Sequence, residues 1–297
     1  MPEGDTVWRT ARRLHTALAG RRLVRWDLRV PRLATTDLTG RLVIEVVPRG
    51  KHLLTRVEGG LTLHSHLRMD GAWKIYRAGE RWTGGPGHQI RAVLGNTEHT
   101  AVGYRLPVLD LLRTTDEGQV VGHLGPDLLG PDWDPDEALR RLSADPARPL
   151  GEALLDQRNL AGIGNVYKSE LCFLLRVSPW LPIGELPHPE RLVALARKLL
   201  EANKDRLARV TTAESRADRR LWVYGREGRA CRRCGAPVRA TERGMPDTVL
   251  GAPPEGAEEN ERTGAPAPRG TADRAAAQQR ITYWCPRCQP GPRPPGT

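Results

Sequence analysis

The chain of 297 residues contains no run of 18 or more apolar residues, so nothing in it is long enough to span a bilayer as a helix. Its start lacks the apolar core of a secretory signal, and the expected location is the cytoplasm. Cysteine is scarce, with five residues, and a disulfide scaffold is not expected in a reducing compartment. Acidic residues are in deficit, 35 Asp and Glu against 46 Lys and Arg, for a net charge of +11. That balance bears on partners rather than fold, and leaves open either a polyanion or unspecific basicity. Aliphatic side chains almost vanish between residues 244 and 279. This stretch of Gly, Pro, Ala and Glu cannot build a core and reads as a disordered insertion.

A chain of this length can hold two domains and a sizeable core. Residues 5–19 read as an amphipathic helix, with Val7, Ala11, Leu14 and Leu18 on one face and Arg9, Arg12 and Arg13 off it. Asp5 stands where an N-cap is expected. From about 22 to 112 short strand-like runs take over, at 23–30, 42–47, 53–57, 61–66, 72–76, 89–94, 100–104 and 108–112. Many short strands separated by Gly and Pro predict a β-sandwich or barrel-like domain. The stretch 125–134, rich in Gly, Pro and Asp, reads as a linker. Helical patterns follow at 135–143, 149–156, 165–176 and 189–208. Between the second and third lies Leu160-Ala161-Gly162-Ile163-Gly164-Asn165, a glycine turn joining two helices. The expected class is α+β, with a β-sandwich and its N-terminal helix over 1–124, the linker 125–134, a helical domain over 135–222 and a cysteine-bearing module over 223–297.

Three features carry chemistry. The chain opens Met1-Pro2-Glu3-Gly4-Asp5. Removal of Met1 leaves a secondary amine beside a carboxylate, and an α-amino group is partly neutral near pH 7. Such an amine gives an iminium directly on an aldehyde-like carbon. The competing reading is a frayed tail. Second, Cys231-x-x-Cys234 and Cys285-x-x-Cys288 suit a tetrahedral Zn²⁺ with no open position, hence structural. Two disulfides or a redox motif are the alternatives. The 50 residues between the pairs exceed the usual spacing, and the 244–279 stretch accounts for the excess. Cys172, in an apolar run, reads as an inert core thiol. Third, residues 197–233 hold twelve Lys and Arg against five Asp and Glu, the kind of concentration that grips phosphate.

Six fragments in order resemble the Fpg/Nei DNA glycosylases, the family of formamidopyrimidine-DNA glycosylase and endonuclease VIII. Pro2-Glu3-Gly4 is similar to the endonuclease VIII form of the family N-terminus. Arg49-Gly50-Lys51-His52-Leu53-Leu54 resembles its hairpin lysine motif, and His64-Ser65-His66-Leu67-Arg68-Met69-Asp70-Gly71 its DNA-wedging loop. Residues 155–167 resemble the helix–two-turn–helix signature. Val223-Tyr224-Gly225-Arg226-Glu227-Gly228 leads into the first Cys pair, and Arg280-Ile281-Thr282-Tyr283-Trp284 into the second.

The resemblance implies a β-sandwich, a helix–two-turn–helix domain and a four-Cys zinc finger. It implies a base-excision-repair glycosylase with abasic-site lyase activity by β,δ-elimination, acting on damaged double-stranded DNA as a nucleoid-associated monomer. A flipped nucleotide would sit between the two domains, since its sugar is unreachable inside a duplex. Pro2 would be the nucleophile at C1′ of the damaged nucleotide. Glu3 would move protons at the same sugar, against the plainer reading of a carboxylate at a helix start. Lys51 would keep the proline amine unprotonated and touch phosphate, rather than being a solvated strand-end lysine. Asn165, at a helix start, would contact phosphate, as would Arg280; an N-cap role for Asn165 is compatible. Met69 would fill the gap left by the flipped base, and Arg105 is the candidate for contact with the orphan base. One Zn²⁺ would sit on Cys231, Cys234, Cys285 and Cys288. The Pro2-Glu3-Gly4 start and the short 209–221 segment favour oxidised pyrimidines, whereas Met69 leans toward the 8-oxoguanine branch. The rival readings are an 8-oxoguanine-type glycosylase, a non-catalytic zinc protein that binds DNA, and an enzyme confined to abasic or single-stranded DNA.

Overall fold

The computed structural model describes residues 2–242 and 281–294. The expected insertion at 244–279 and Arg280 lie outside the described residues. The chain divides into two compact units, residues 1–134 with 197–207, and residues 135–196 with 208–297.

The first unit begins with α1 (Gly4–Leu18), which buries Val7, Ala11, Leu14 and Leu18 as its periodicity predicts. Strands β1 (Arg25–Leu28), β2 (Val43–Arg49), β3 (His52–Val57), β4 (Leu61–His66), β5 (Ala72–Arg77), β6 (Ile90–Gly95), β7 (His99–Tyr104) and β8 (Val108–Arg113) follow. They form two four-stranded antiparallel sheets, ordered β1-β6-β7-β5 and β2-β3-β4-β8. One core joins Leu14 and Leu18 of α1 to Val43, Leu53, Leu63, Ala92 and Leu94 from both sheets. The expected sandwich is therefore present.

Strand β2 is an edge, which explains how it carries Pro48, a residue that cannot donate to a ladder. His15 of α1 covers that edge, its Nδ1 accepting the Val46 N–H at 3.2 Å. A four-residue helix, α2 (Gly118–Val121), follows β8 and was not signalled by the sequence pattern. Residues 125–134, read as a linker, are built into this unit, with Asp127 and Leu128 buried.

The second unit contains α3 (Pro135–Leu142), α4 (Leu150–Leu155) and α5 (Asn165–Leu174), with α6 (Pro189–Asn203) divided between the units at Ala196. The turn from α4 to α5 includes Gly162 at φ 109°, a conformation open to glycine and strained for other residues. A two-stranded ribbon of β9 (Arg239–Thr241) and β10 (Thr282–Trp284) completes it. The finger has a small core of its own in which Cys231, Cys285 and Cys288 pack with Val223, Val238 and Phe173 of α5.

Candidate active site and cysteine centre

Glu3, not Asp5, is the N-cap of α1. Its backbone is extended (φ −123°, ψ −176°), and its carbonyl accepts the N–H groups of Thr6 at 2.9 Å and Val7 at 3.0 Å. Asp5 lies inside the first turn and accepts the Thr6 N–H at 2.8 Å. The cap shifts because Gly4 and Asp5 already have helical geometry and are buried. The Glu3 side chain is fully buried, with Pro2 partly exposed directly before it.

Lys51 occupies the second position of the two-residue turn between β2 and β3, where Arg49 faces His52. Gly50 has φ 57°, the sign a II′ hairpin needs at its first central residue. The turn is fastened from outside the sheet. The Gly50 N–H donates to Asp127 Oδ2 at 2.6 Å, and Arg49 pairs with Asp132 at 2.6 Å. Burial raises the Asp127 carboxyl above the usual range, against the hydrogen bond from Gly50, which lowers it. The segment that reads as a linker thus holds the lysine hairpin.

Beyond Lys51 the outer face of the β2-β3-β4-β8 sheet is polar yet covered. His52 pairs with His66, and His64 with Asp110, in the antiparallel register. His52 Nδ1 lies 2.8 Å from His64 Nε2, and the rings stack with centroids 5.1 Å apart. Arg32 pairs with Asp110. Farther along, Arg56 binds Glu117 at 2.7 Å and Glu45 at 2.6 Å, and Thr62 donates to Glu117 at 2.7 Å. The histidine positions escaped sequence reading as a group. The alternation His64-x-His66 with His52 opposite was the only available signal, and register is needed to pair them.

Met69 sits half-buried in the β4–β5 turn. The preceding Arg68 has φ 44°, and Gly71 closes the turn onto the Leu67 carbonyl at 2.8 Å. Arg105 is exposed and reaches that turn, donating to the Asp70 carbonyl at 3.1 Å and to Gln89 Oε1 at 2.6 Å. The structure therefore brings Met69 and Arg105 into one neighbourhood.

Asn165 is the first residue of α5, with Gly164 as N-cap. It is buried, and its amide donates to the Ile281 carbonyl, next to Arg280. Lys168, fully buried one turn on, donates to Thr282 Oγ1 at 2.8 Å. Glu170 accepts the backbone N–H groups of Trp222, Val223 and Tyr224 at 2.8, 2.9 and 2.9 Å, and the Thr211 hydroxyl. Burial raises its carboxyl above the usual range, against those hydrogen bonds. So α5 carries three buried polar residues that fasten the cysteine module.

The Sγ atoms of Cys231, Cys234, Cys285 and Cys288 lie within 4.8 Å of one another. Cys231 and Cys288 are 3.9 Å apart, and Cys234 and Cys285 3.5 Å. Tetrahedral sulfur around Zn²⁺ at about 2.3 Å requires separations of about 3.8 Å. The backbone around Ala236 draws the Cys234 thiol down to about 7, while burial pushes Cys288 up to about 12. Four thiolates this close repel one another, and a divalent cation removes the conflict. Cys172 is fully buried, and burial pushes its thiol up to about 12, consistent with an inert core residue.

Residues 1–107 match the formamidopyrimidine-DNA glycosylase N-terminal domain, and residues 124–206 the formamidopyrimidine-DNA glycosylase H2TH domain. The chain is 62% identical over 296 residues to the "Probable endonuclease 8 2" of Streptomyces coelicolor, covering 99% of this chain and 96% of that protein. It is 45% identical over 289 residues to the "DNA-(apurinic or apyrimidinic site) lyase Nei2" of Mycolicibacterium smegmatis, covering 97% and 99%. A crystal structure of Lactococcus lactis Fpg (MutM) with DNA containing N7-benzyl-Fapy-dG shares the fold, at TM-score 0.71 and 20% identity over 98% of this chain and 100% of that one. Matched along almost its whole length to endonuclease 8 relatives, and built as a β-sandwich followed by an H2TH domain and a four-cysteine cluster, the chain belongs to the Fpg/Nei family of DNA glycosylases.

Proposed function

We propose that the protein is a bifunctional base-excision-repair enzyme, a DNA glycosylase with abasic-site lyase activity, whose nucleophile is the Pro2 amine. The observation that carries this reading is the N-terminal arrangement, with Pro2 directly before a fully buried Glu3 that caps α1. In support, the Mycolicibacterium relative is named an abasic-site lyase, and the Streptomyces one an endonuclease 8.

In this mechanism Met1 is removed first. The Pro2 nitrogen forms a bond to C1′, the bond from C1′ to the base breaks, and the base leaves with a proton. Glu3 gives a proton to the ring oxygen as the sugar opens, leaving an iminium on the proline. Loss of a proton from C2′ expels the 3′ phosphate, and a second elimination expels the 5′ phosphate. Lys51, on its fastened turn, keeps a cation beside the amine and so favours the amine's neutral form. Asn165 and Arg280 hold phosphates, Met69 replaces the departed base in the stack, and Arg105 contacts the orphan base. Cys231, Cys234, Cys285 and Cys288 hold one Zn²⁺, which closes the finger and takes no part in bond breaking. The protein works as a cytoplasmic, nucleoid-associated monomer. Among the described residues no helix is long and apolar enough to cross a membrane.

For substrate, we favour oxidised pyrimidines. Residues 211–220 close on themselves, with the Thr211 N–H on the Arg220 carbonyl at 2.8 Å and the Thr212 hydroxyl on the Arg219 carbonyl at 2.7 Å. That leaves little chain to cover a purine lesion. The second reading, 8-oxoguanine excision, is supported by Met69.

Borohydride treatment with a panel of lesion duplexes tests the chemistry, because only an imine is trapped. Processed enzyme should be trapped on abasic and oxidised-pyrimidine DNA. Enzyme that keeps Met1, or carries an N-terminal tag, should bind duplex without being trapped. Full trapping by the blocked protein would remove Pro2 from its role.

A further inference from the structure

The imidazoles behind Lys51 have no part in the chemistry above, yet they form an ordered polar group on the same sheet. His64 is almost completely buried. Its Nδ1 makes no hydrogen bond among the described residues and faces Asp110 Oδ2 at 3.8 Å. Arg32 fixes Asp110 from its other side, and Asp110 is held below the usual carboxylate range by His64 and Arg32. A carboxylate facing Nδ1 favours the tautomer with its proton there. Nε2 of His64 is then an acceptor, and the 2.8 Å contact makes His52 Nδ1 the donor. Donors therefore face Asp110 from both sides, Arg32 on one and, on the other, His64 with His52 donating to it, and the run ends on His52, the residue bonded to Lys51.

His66 closes the same end of the sheet, opposite His52 with ring centroids 4.9 Å apart, and His123 meets His52 edge-on at 6.3 Å. Burial, with the nearby charge of Lys51, lowers both His52 and His66, to about 2 and about 3. These rings stay neutral at working pH. They form an uncharged, rigid wall rather than competing cations.

We propose that the His52–His64 pair, keyed to Asp110, is a positioning device that sets the orientation of Lys51 at the reacting amine. It fixes the turn from the β3 side, while Asp127 fixes it through the Gly50 N–H. The inference rests on the role assigned to Lys51 under the proposed function. Positioning of this kind has large kinetic consequences, since a misplacement of about 1 Å can cost about a hundredfold in rate.

The test measures single-turnover imine trapping on a preformed abasic site, with duplex affinity and melting temperature recorded alongside. His64→Leu removes the bond to His52, and His64→Gln keeps an acceptor or donor near the Nε2 position. His64→Leu should trap about ten- to a hundredfold more slowly with duplex affinity intact, and His64→Gln should recover most of that loss. In a Lys51→Met background His64→Leu should add almost nothing, because the two act through one step. His52→Phe removes the same bond while keeping a ring in place, and it serves if His64→Leu does not fold. Full-rate trapping by whichever of these variants folds, an equal loss in His64→Gln, or a loss that adds fully to Lys51→Met would each overturn the proposal. Normal trapping by Lys51→Met itself would instead overturn the role of Lys51, and the two failures are told apart by that single variant.

Discussion

At the scale of single residues, burial decides which polar groups can do chemistry. Glu3 is fully buried at a helix start, where a carboxylate is confined. Glu3→Gln removes the transferable proton and keeps the shape. Excision of a damaged base should fall by about a hundredfold or more, within the range that general acid–base catalysis supplies. Duplex affinity should not change, and cleavage at a preformed abasic site should survive in part; normal excision by Glu3→Gln would remove the assignment. His52 and His66 make a second residue-scale prediction. Their ordinary value is 6.5, and burial first, then neighbouring charges, holds them near 2 and 3 in the fold. Between these limits the unfolded chain binds more protons than the folded one. The contribution is therefore complete above pH 6.5 and is lost as pH falls, at up to about 1.4 kcal/mol per unit for each imidazole. Denaturant titrations from pH 7 to 4 should show this slope, and His52→Phe should reduce it by about one proton.

At the scale of elements, α5 and the cysteine module depend on each other. Strands β9 and β10 are three residues each, too short to persist alone. Their anchors are the buried Asn165, Lys168 and Glu170 of α5 and the four cysteines. Removing the metal should therefore unfold the finger and weaken duplex binding, while α1 and the two sheets keep their structure. Metal analysis before and after chelation should find one Zn²⁺ per chain, and Cys234→Ala should reproduce the loss. Deleting residues 246–274 should leave metal content and duplex affinity nearly unchanged, since that stretch supplies no cysteine and almost no aliphatic side chain. A large loss of either would mean that the insertion is a working part.

At the scale of the whole molecule, the excess charge and the choice of lesion come together. The net +11 is concentrated at 197–233 and suits a phosphate backbone. Under the proposed function, Met69 and Arg105 read the flipped base's place and its partner, and the short closed loop 211–220 leaves little chain to cover a purine lesion. Single-turnover release should be faster for thymine glycol and 5-hydroxycytosine derivatives than for 8-oxoguanine opposite cytosine. The reverse order would reassign the substrate and leave the glycosylase reading intact.

The sequence by itself determined the two-layer β domain, the α1 face, the glycine turn before α5 and the identity of the four cysteines. Each is a local signal: strand alternation, a period of 3.6, a residue with φ above zero, or a pair of thiols three residues apart. Only the tertiary structure decided the rest. Asp127 stands 77 residues from Gly50 and meets it across the fold, so a stretch that reads locally as a linker became a support for Lys51. Asp5 yielded the cap to Glu3 because the helix begins two residues earlier than a cap at Asp5 would set it. The pairing of His52 with His64 follows from strand register, a non-local quantity set by how whole hydrophobic faces match. Periodicity reports which way a side chain points, and contact across the fold depends on which strand lies alongside it.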